Sequence, residues 1–290
     1  MTLPLKLDGR WFTEVAPDEG IALSLTGARL LHREETARQT IEIYETDNFG
    51  TLLAIDGCVM VTDRDHFIYH EMLVHPALFA HPSPQRVLII GGGDCGTLRE
   101  VLRHEGVMSV VQAEPDERVT RLAEQYFPEL CEANGDARAK LHFGEGMKWV
   151  RDARDESLDV IIVDSTDPVG PGEDQFGKAF YRECLRALRA GGLVAQQSES
   201  PFLYPRSLWE MHQAFKGAGF ADTRTLTFPQ PTYPSGWWSV TLAKKDARLD
   251  GFRKADAEVK PFPTRYYSAA VHEASFVLPR FLQEALSASP

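Results

Sequence analysis

The chain has 290 residues, 43% of them hydrophobic and 25% charged, the balance of a soluble globular protein with one large domain or two smaller ones. Its formal net charge of −11, from 42 acidic against 31 basic residues, speaks against a nucleic-acid partner and for cationic ones. No apolar run approaches the ~20 residues of a membrane span, the start "MTLPLKLDGRW" lacks a signal-peptide core, and Cys58, Cys95, Cys131 and Cys184 are scattered without a C-x-x-C. Those features predict a cytoplasmic protein without a membrane, zinc or disulfide framework.

In chain order, "QTIEIYET" (39–46) alternates, with Ile41 and Ile43 on one side and Glu42 and Tyr44 on the other. The turn "DNFG" follows, then "TLLAID" and "CVMVT" on either side of Asp56-Gly57. Short alternating runs joined by turn residues read as antiparallel hairpins. From Asp63 to about Phe79 the spacing turns helical, and His75-Pro76 predicts a kink or restart there. These features assign residues 1–65 to a small β-hairpin domain and 66–290 to a second domain.

After Pro84 strands and helices alternate. "RVLIIGGGDCGTLREVLRH" is strand, glycine turn and helix; "SVVQAEPDERVTRLAEQYF" is strand, acidic turn and helix. "LDVIIVDS" is a third strand, followed by the helix "GKAFYRECLRALRAGG" with a glycine stop. "GLVAQQSES" is a fourth strand, and "PRSLWEMHQAFKGAGF" a helix with another glycine stop. Such alternation predicts an α/β fold with a doubly wound parallel sheet, whose ligands sit beyond the carboxyl ends of the strands. Gly91, Glu114, Asp164 and Gln197 all fall there.

"GGGDCG" (91–96) fits G-x-G-x-x-G between a strand and a helix, with Gly91 and Gly93 letting a ligand approach the backbone. Glu114 ends the next strand, where a ribose-binding acid belongs. Asp94 would repel the pyrophosphate of NAD and the carboxylate of AdoMet, but attract an amine. A ligand with the sulfonium and amine of AdoMet but without its carboxylate fits best, and decarboxylated AdoMet is such a ligand.

"LAIDGCVMVTDRDHFIYHEML", "VLIIGGGDCGTLREVLRH", "VIIVDSTDPVGPGEDQF", "AQQSESPF", "PTYPSGWWS" and "YYSAAVHEASFVLPRF" together resemble the polyamine aminopropyltransferases, above all the bacterial spermidine synthases. The resemblance spans nearly the whole chain from about Gln39. It implies a Rossmann-like, AdoMet-methyltransferase-like second domain. It also implies transfer of the aminopropyl group of decarboxylated AdoMet to putrescine, giving spermidine and methylthioadenosine, in a homodimer or homotetramer. The sulfonium compound is then a co-substrate, with no further cofactor. At matching positions Gln39, Glu114, Glu145, Gly146 and Pro171 would contact the nucleoside. Tyr69, His70, Asp94, Asp164, Ser165, Thr166, Asp167 and Tyr233 would contact the aminopropyl group and the amine, with Asp164 as proton acceptor. The sequence departs from the family at Cys95, where relatives carry glycine, at Glu145, where they carry aspartate, and at His66, where glutamate is common.

The implied chemistry suits these residues. An attacking amine must be neutral, and a carboxylate within reach can bind the cation and then take its proton. Asp164, at the strand end, would be that base and Asp167 would help bind charge, on a loop stiffened by Pro168 and Pro171. Tyr69, Tyr233 and Trp237 would line the apolar stem of the amine. The displacement at carbon calls for no metal and no covalent enzyme intermediate. Taken singly, Asp164-Ser165-Thr166 reads as well as a cap or turn, and Tyr69 and His70 as ordinary helix residues. Three other readings stay open: a diamine N-methyltransferase using AdoMet, an aminopropyltransferase acting on cadaverine, agmatine or spermidine, and a non-catalytic binding protein.

Overall fold

The computed structural model describes residues 7–165 and 177–287. The chain begins with an antiparallel hairpin, β1 (Trp11–Ala16) and β2 (Ile21–Thr26). A four-stranded antiparallel sheet follows, β3 (Arg29–Glu35), β4 (Thr40–Thr46), β5 (Gly50–Ile55) and β6 (Cys58–Thr62), in that spatial order. Asp56 and Gly57 both take positive φ, 51° and 84°, the backbone of a two-residue hairpin turn. The alternation in β4 is real: Ile41 and Ile43 are wholly buried, together with Leu53, Ile55 and Val61, against Val119 and Leu122.

α1 (His66–Ala80) leads into the large sheet. It runs as one helix through Pro76, without the expected restart. Proline removes one i→i−4 hydrogen bond, and burial of the helix on nearly every side offsets that loss. Three consecutive residues of α1 face three partners. Tyr69 reaches Asp164, His70 reaches Asp94, and the buried Glu71 accepts the backbone N–H groups of Arg265, Tyr266 and Tyr267 at 2.7–2.8 Å.

Strands and helices then alternate: β7 (Arg86–Gly91), α2 (Gly96–Leu102), β8 (Ser109–Glu114), α3 (Glu117–Tyr126), β9 (Ala139–Phe143), α4 (Gly146–Asp152), β10 (Leu158–Asp164), α5 (Lys178–Ala187), β11 (Leu188–Gln197) and α6 (Pro205–Ala218). After α6 come β12 (Asp222–Pro229), β13 (Trp237–Lys244), and the short helices α7 (Lys254–Glu258), α8 (Ala269–Ser275) and α9 (Arg280–Ser287). The sheet order is β12-β13-β11-β10-β7-β8-β9. The strands from β11 to β9 are parallel, as the alternation predicts, whereas β13 pairs antiparallel with both β11 and β12. One face packs on α1 and α2, and the other on α4, α5 and α6.

The glycine stop expected after α5 is absent. Ala187 ends the helix, Leu188 is already extended, and Gly191-Gly192 lie inside β11. They allow a bulge there, because Leu158 pairs with Leu188 but Val160 with Leu193. The stop after α6 is as expected, with Gly219 at φ 112°.

From β7 the chain turns to β8 and β9 on one side, and it later returns as β10 on the other. The crevice of an open sheet lies at such a reversal. Here the register sets Asp164 of β10 beside Gly91 of β7.

Candidate active site

Gly91 has φ 81°, and a side chain on it would sit 2.1 Å from the Asp164 carbonyl oxygen. The Gly92 N–H donates to that same oxygen at 2.7 Å. A Cβ on Gly93 would come within 2.9 Å of Glu114 Oε2, so the absence of a side chain lets the Glu114 carboxylate reach the turn. Cys95 has a left-handed φ of 69° and is buried. Cys95 therefore holds its place in the turn at the expense of backbone strain, and not merely of space.

Asp164 accepts from the Tyr69 hydroxyl at 2.7 Å on one oxygen and from the Thr97 hydroxyl at 2.6 Å on the other. Burial, and then the charge of Asp94, push its pKa up; His70 and the two hydroxyls oppose the rise. Burial also works to raise Asp94, but His70 and the Gly96 N–H, 2.7 Å from Oδ1, outweigh it and hold this carboxyl below its ordinary value. His70 Nε2 lies 3.3 Å from the Asp94 carboxylate. Burial pulls the His70 pKa down, yet the Asp94 charge carries it above the usual histidine value. The two neighbouring aspartates are thus pushed in opposite directions: Asp94 stays anionic, and Asp164 becomes the better proton acceptor.

Glu114 is buried, and burial raises its pKa to about 7 against an opposing bond from the Asp116 N–H at 2.8 Å. Gln39 reaches the same place from the small sheet. Its Nε2 donates to Asp116 at 3.2 Å, Thr36 donates to the same oxygen at 2.7 Å, and Arg118 holds Glu34 with bonds of 2.7 and 2.9 Å. These ties bolt the loop after β3 onto the turn before α3.

These side chains border a cavity of about 480 Å³. Gln39, Tyr69, Gly91, Gly93, Asp94, Glu114, Asp164, Ser165 and Tyr233 line it. His70 does not; it stands behind Asp94, with His66 beside it at a ring separation of 5.6 Å. Glu145 and Gly146 are also absent from the wall. The half-exposed Glu145 carboxylate pairs with Arg38 at 2.6 Å, and Gly146 is buried against Ile90 at the start of α4. Trp238 lines the cavity where Trp237 was expected, because adjacent residues of β13 face opposite ways and Trp237 turns toward Phe281. Thr166, Asp167, Pro168 and Pro171 lie outside the described residues.

Four further residues belong to this site. Thr97 gave no signal in the sequence, since its partner is 67 residues away. Gln197 donates to the Ser165 carbonyl at 3.2 Å and accepts from the Trp238 indole at 3.2 Å. Glu14 and Glu199 are buried carboxylates in the cavity wall. Glu14 accepts the Val59 N–H at 2.8 Å, and Glu199 sits at a left-handed φ of 63°. A carboxylate alternating with Phe12 on the inward face of β1 was the available sign of Glu14.

Eight carboxylates line the cavity: Asp94, Glu114 and Asp164, the buried Glu14 and Glu199, and Asp18, Glu19 and Asp56. No lysine, arginine or histidine lines it among the described residues. Tyr69, Tyr233 and Trp238 form an aromatic wall, with ring separations of 5.7 and 4.8 Å, and the Tyr233 hydroxyl donates to the Met60 carbonyl at 2.6 Å. Among the described residues no group of three or more His, Cys, Asp or Glu is arranged to hold a metal ion, and no helix is long and apolar enough to cross a membrane.

Residues 66–251 match the spermine/spermidine synthase domain, and residues 10–63 the spermidine synthase tetramerisation domain. The polyamine aminopropyltransferase of Methylococcus capsulatus is 59% identical, over 95% of this chain and 96% of its own length. That of Thioalkalivibrio sulfidiphilus is 58% identical, over 97% and 99%. The solved spermidine synthase of Thermotoga maritima is 35% identical with a TM-score of 0.90, covering 98% of this chain and 97% of its own. A spermidine synthase in complex with the transition state analogue AdoDATO is 35% identical with a TM-score of 0.91, covering 99% and 98%.

Proposed function

The chain belongs to the polyamine aminopropyltransferase family, and on that premise we propose that it transfers the aminopropyl group of decarboxylated AdoMet to putrescine, leaving methylthioadenosine. The observation that carries this reading is a cavity with eight carboxylates, an aromatic wall and no basic side chain among its described lining residues. Such a site suits a ligand with cationic ends and an apolar stem.

At pH 7 each amine of putrescine is protonated, with a pKa of roughly 10, so freeing one nitrogen costs about 4 kcal/mol. Asp164 binds that ammonium and takes its proton; its burial favours the protonated carboxyl that results. Asp94, held anionic by His70 and the Gly96 N–H, grips the ammonium of the aminopropyl group. The freed nitrogen attacks the carbon next to the sulfonium. A carbon–nitrogen bond forms, the carbon–sulfur bond breaks, and its electron pair returns to sulfur. Glu114 and Gln39 hold the nucleoside. Glu14 and Glu199 bind the remote ammonium of the acceptor. Holding nitrogen and carbon in line contributes several kcal/mol, to order of magnitude.

Full AdoMet would bring its carboxylate against Asp94, which is why methyl transfer is the weaker reading. The test is product analysis with decarboxylated AdoMet and with AdoMet, each against putrescine, cadaverine, agmatine and spermidine. Spermidine from the first putrescine reaction is expected. Methylated amine from AdoMet, or a stronger preference for another acceptor, would overturn the assignment. The match of residues 10–63 supports a dimer or tetramer of this chain, which light scattering would measure.

A further inference from the structure

Asp164 is held by two hydroxyls from different elements, and only one of them faces the cavity. Tyr69 comes from α1 and lines it; Thr97 comes from the first turn of α2, is wholly buried and does not. A threonine near a helix N-terminus ordinarily spends its hydroxyl on nearby backbone. Here the hydroxyl crosses to β10 instead and donates to Asp164 Oδ2 at 2.6 Å, while Tyr69 takes Oδ1 at 2.7 Å. With both oxygens engaged the carboxylate plane cannot turn, and the remaining lone pairs point to fixed places. A hydrogen bond donated to the ionised carboxyl also favours that form over the protonated one.

We propose that Thr97 is a positioning residue for aminopropyl transfer: it fixes the carboxylate plane of Asp164 and keeps that group ionised and ready to receive the amine proton. This rests on the reading of Asp164 as the base. The consequence is two-sided. Without the hydroxyl, Asp164 protonates more readily as pH falls, and at high pH the ionised carboxylate swings out of line with the attacking nitrogen.

The test compares Thr97→Val, close in shape but without the hydroxyl, with Thr97→Ser, which keeps it. In Thr97→Val the acid limb of the kcat/KM profile is expected to move up by roughly one pH unit, the size of a hydroxyl bond to a charge. On the plateau kcat should fall by about tenfold. Affinity for methylthioadenosine should stay unchanged, and Thr97→Ser should restore both the limb and kcat. If the valine does not seat, Thr97→Ala takes its place. A wild-type pH limb and kcat in the hydroxyl-free variant would overturn the proposal. So would equal loss in the serine variant, which would make the role one of packing. Combining Thr97→Val with Asp164→Asn separates this from the base assignment. Asp164→Asn with near-normal turnover would remove the base itself. A strong defect in Asp164→Asn beside a normal Thr97→Val would remove only the positioning role. If the two act as one unit, Thr97→Val adds nothing in the Asp164→Asn background.

Discussion

Around the glycine turn, Gly91, Asp94, Thr97 and Asp164 come from two adjacent strands and the turn and helix that follow one of them. Around Tyr233, the wall is assembled from β1, the middle of β6, the segment just after β11 and the start of β13, which supply Glu14, Met60, Glu199 and Trp238. The first group is built by a local rule, a tight turn at a sheet reversal, with each carboxylate held by named hydrogen bonds. The second is built by tertiary packing of segments far apart in the chain. On the proposed assignment, one end of a substrate is read by a motif and the other by an arrangement. Changes in the first group should alter turnover or nucleoside handling, and changes in the second should alter the amine.

Asp164→Asn tests the comparison most severely. Turnover should fall by about 10²–10⁴-fold, the usual range for a general base, with methylthioadenosine binding retained. Near-normal turnover of the folded variant would take Asp164 out of the mechanism. Next comes Asp94. The wild type should prefer decarboxylated over full AdoMet by at least about 10²-fold, or ~2.7 kcal/mol, and Asp94→Asn should narrow that gap. Competition binding of both ligands measures it, and equal wild-type affinities would contradict the role. Glu199→Gln should raise the KM for putrescine by about 10–100-fold, the worth of a charge-assisted hydrogen bond, without changing nucleoside affinity. A loss confined to nucleoside binding would break the division between the two regions.

Glu114→Gln should weaken methylthioadenosine binding, and it carries a pH signature. The folded-state pKa lies near 7 against an ordinary 4.5, so folding takes up a proton between those values. The stability that this proton contributes is lost as pH rises through 7. Without the titrating group, the unliganded variant should overtake the wild type from about pH 5 upward, by at most ~3 kcal/mol at pH 8, with no difference below pH 4. Denaturant midpoints across pH would show it, and parallel curves would refute the buried-acid assignment. The smallest effect is expected at Arg38→Ala. Its pair with Glu145 is half exposed and outside the cavity wall, so methylthioadenosine affinity should change less than about threefold.

What could be read from the sequence follows the same division. Gly91, Glu114 and Asp164 stand at strand ends and Asp94 in the turn just beyond one, and strand ends are visible in hydrophobic runs punctuated by glycine. The antiparallel hairpins of β4 to β6 were legible for a similar reason, through alternation and the Asp56-Gly57 turn. Thr97 was not, because nothing within α2 announces a partner on β10. Glu199 lies two residues beyond β11, and its place in the cavity wall depends on its own left-handed backbone, which periodicity does not report. The pairing of Glu145 with Arg38, a residue of the loop after β3, was not legible, because nothing in either segment announces the other. β12 and β13 escaped notice because alternation of strands and helices predicts parallel neighbours, and these two strands instead follow α6 as an antiparallel pair.

The three N–H groups that Glu71 receives lie 194 to 196 residues further along the chain. During synthesis, then, the helix that carries Tyr69 and His70 is made early and secured late. Until Tyr267 has emerged, the Glu71 carboxylate has no internal partners for burial and stays hydrated, which keeps α1 from settling to its final depth. Strands β7 to β11 can pair in the meantime, but the side chains that α1 presents to Asp164 and Asp94 come to rest only as the last segment docks. Contacts of such sequence separation close late in folding, so the reacting centre is expected to become fixed late as well.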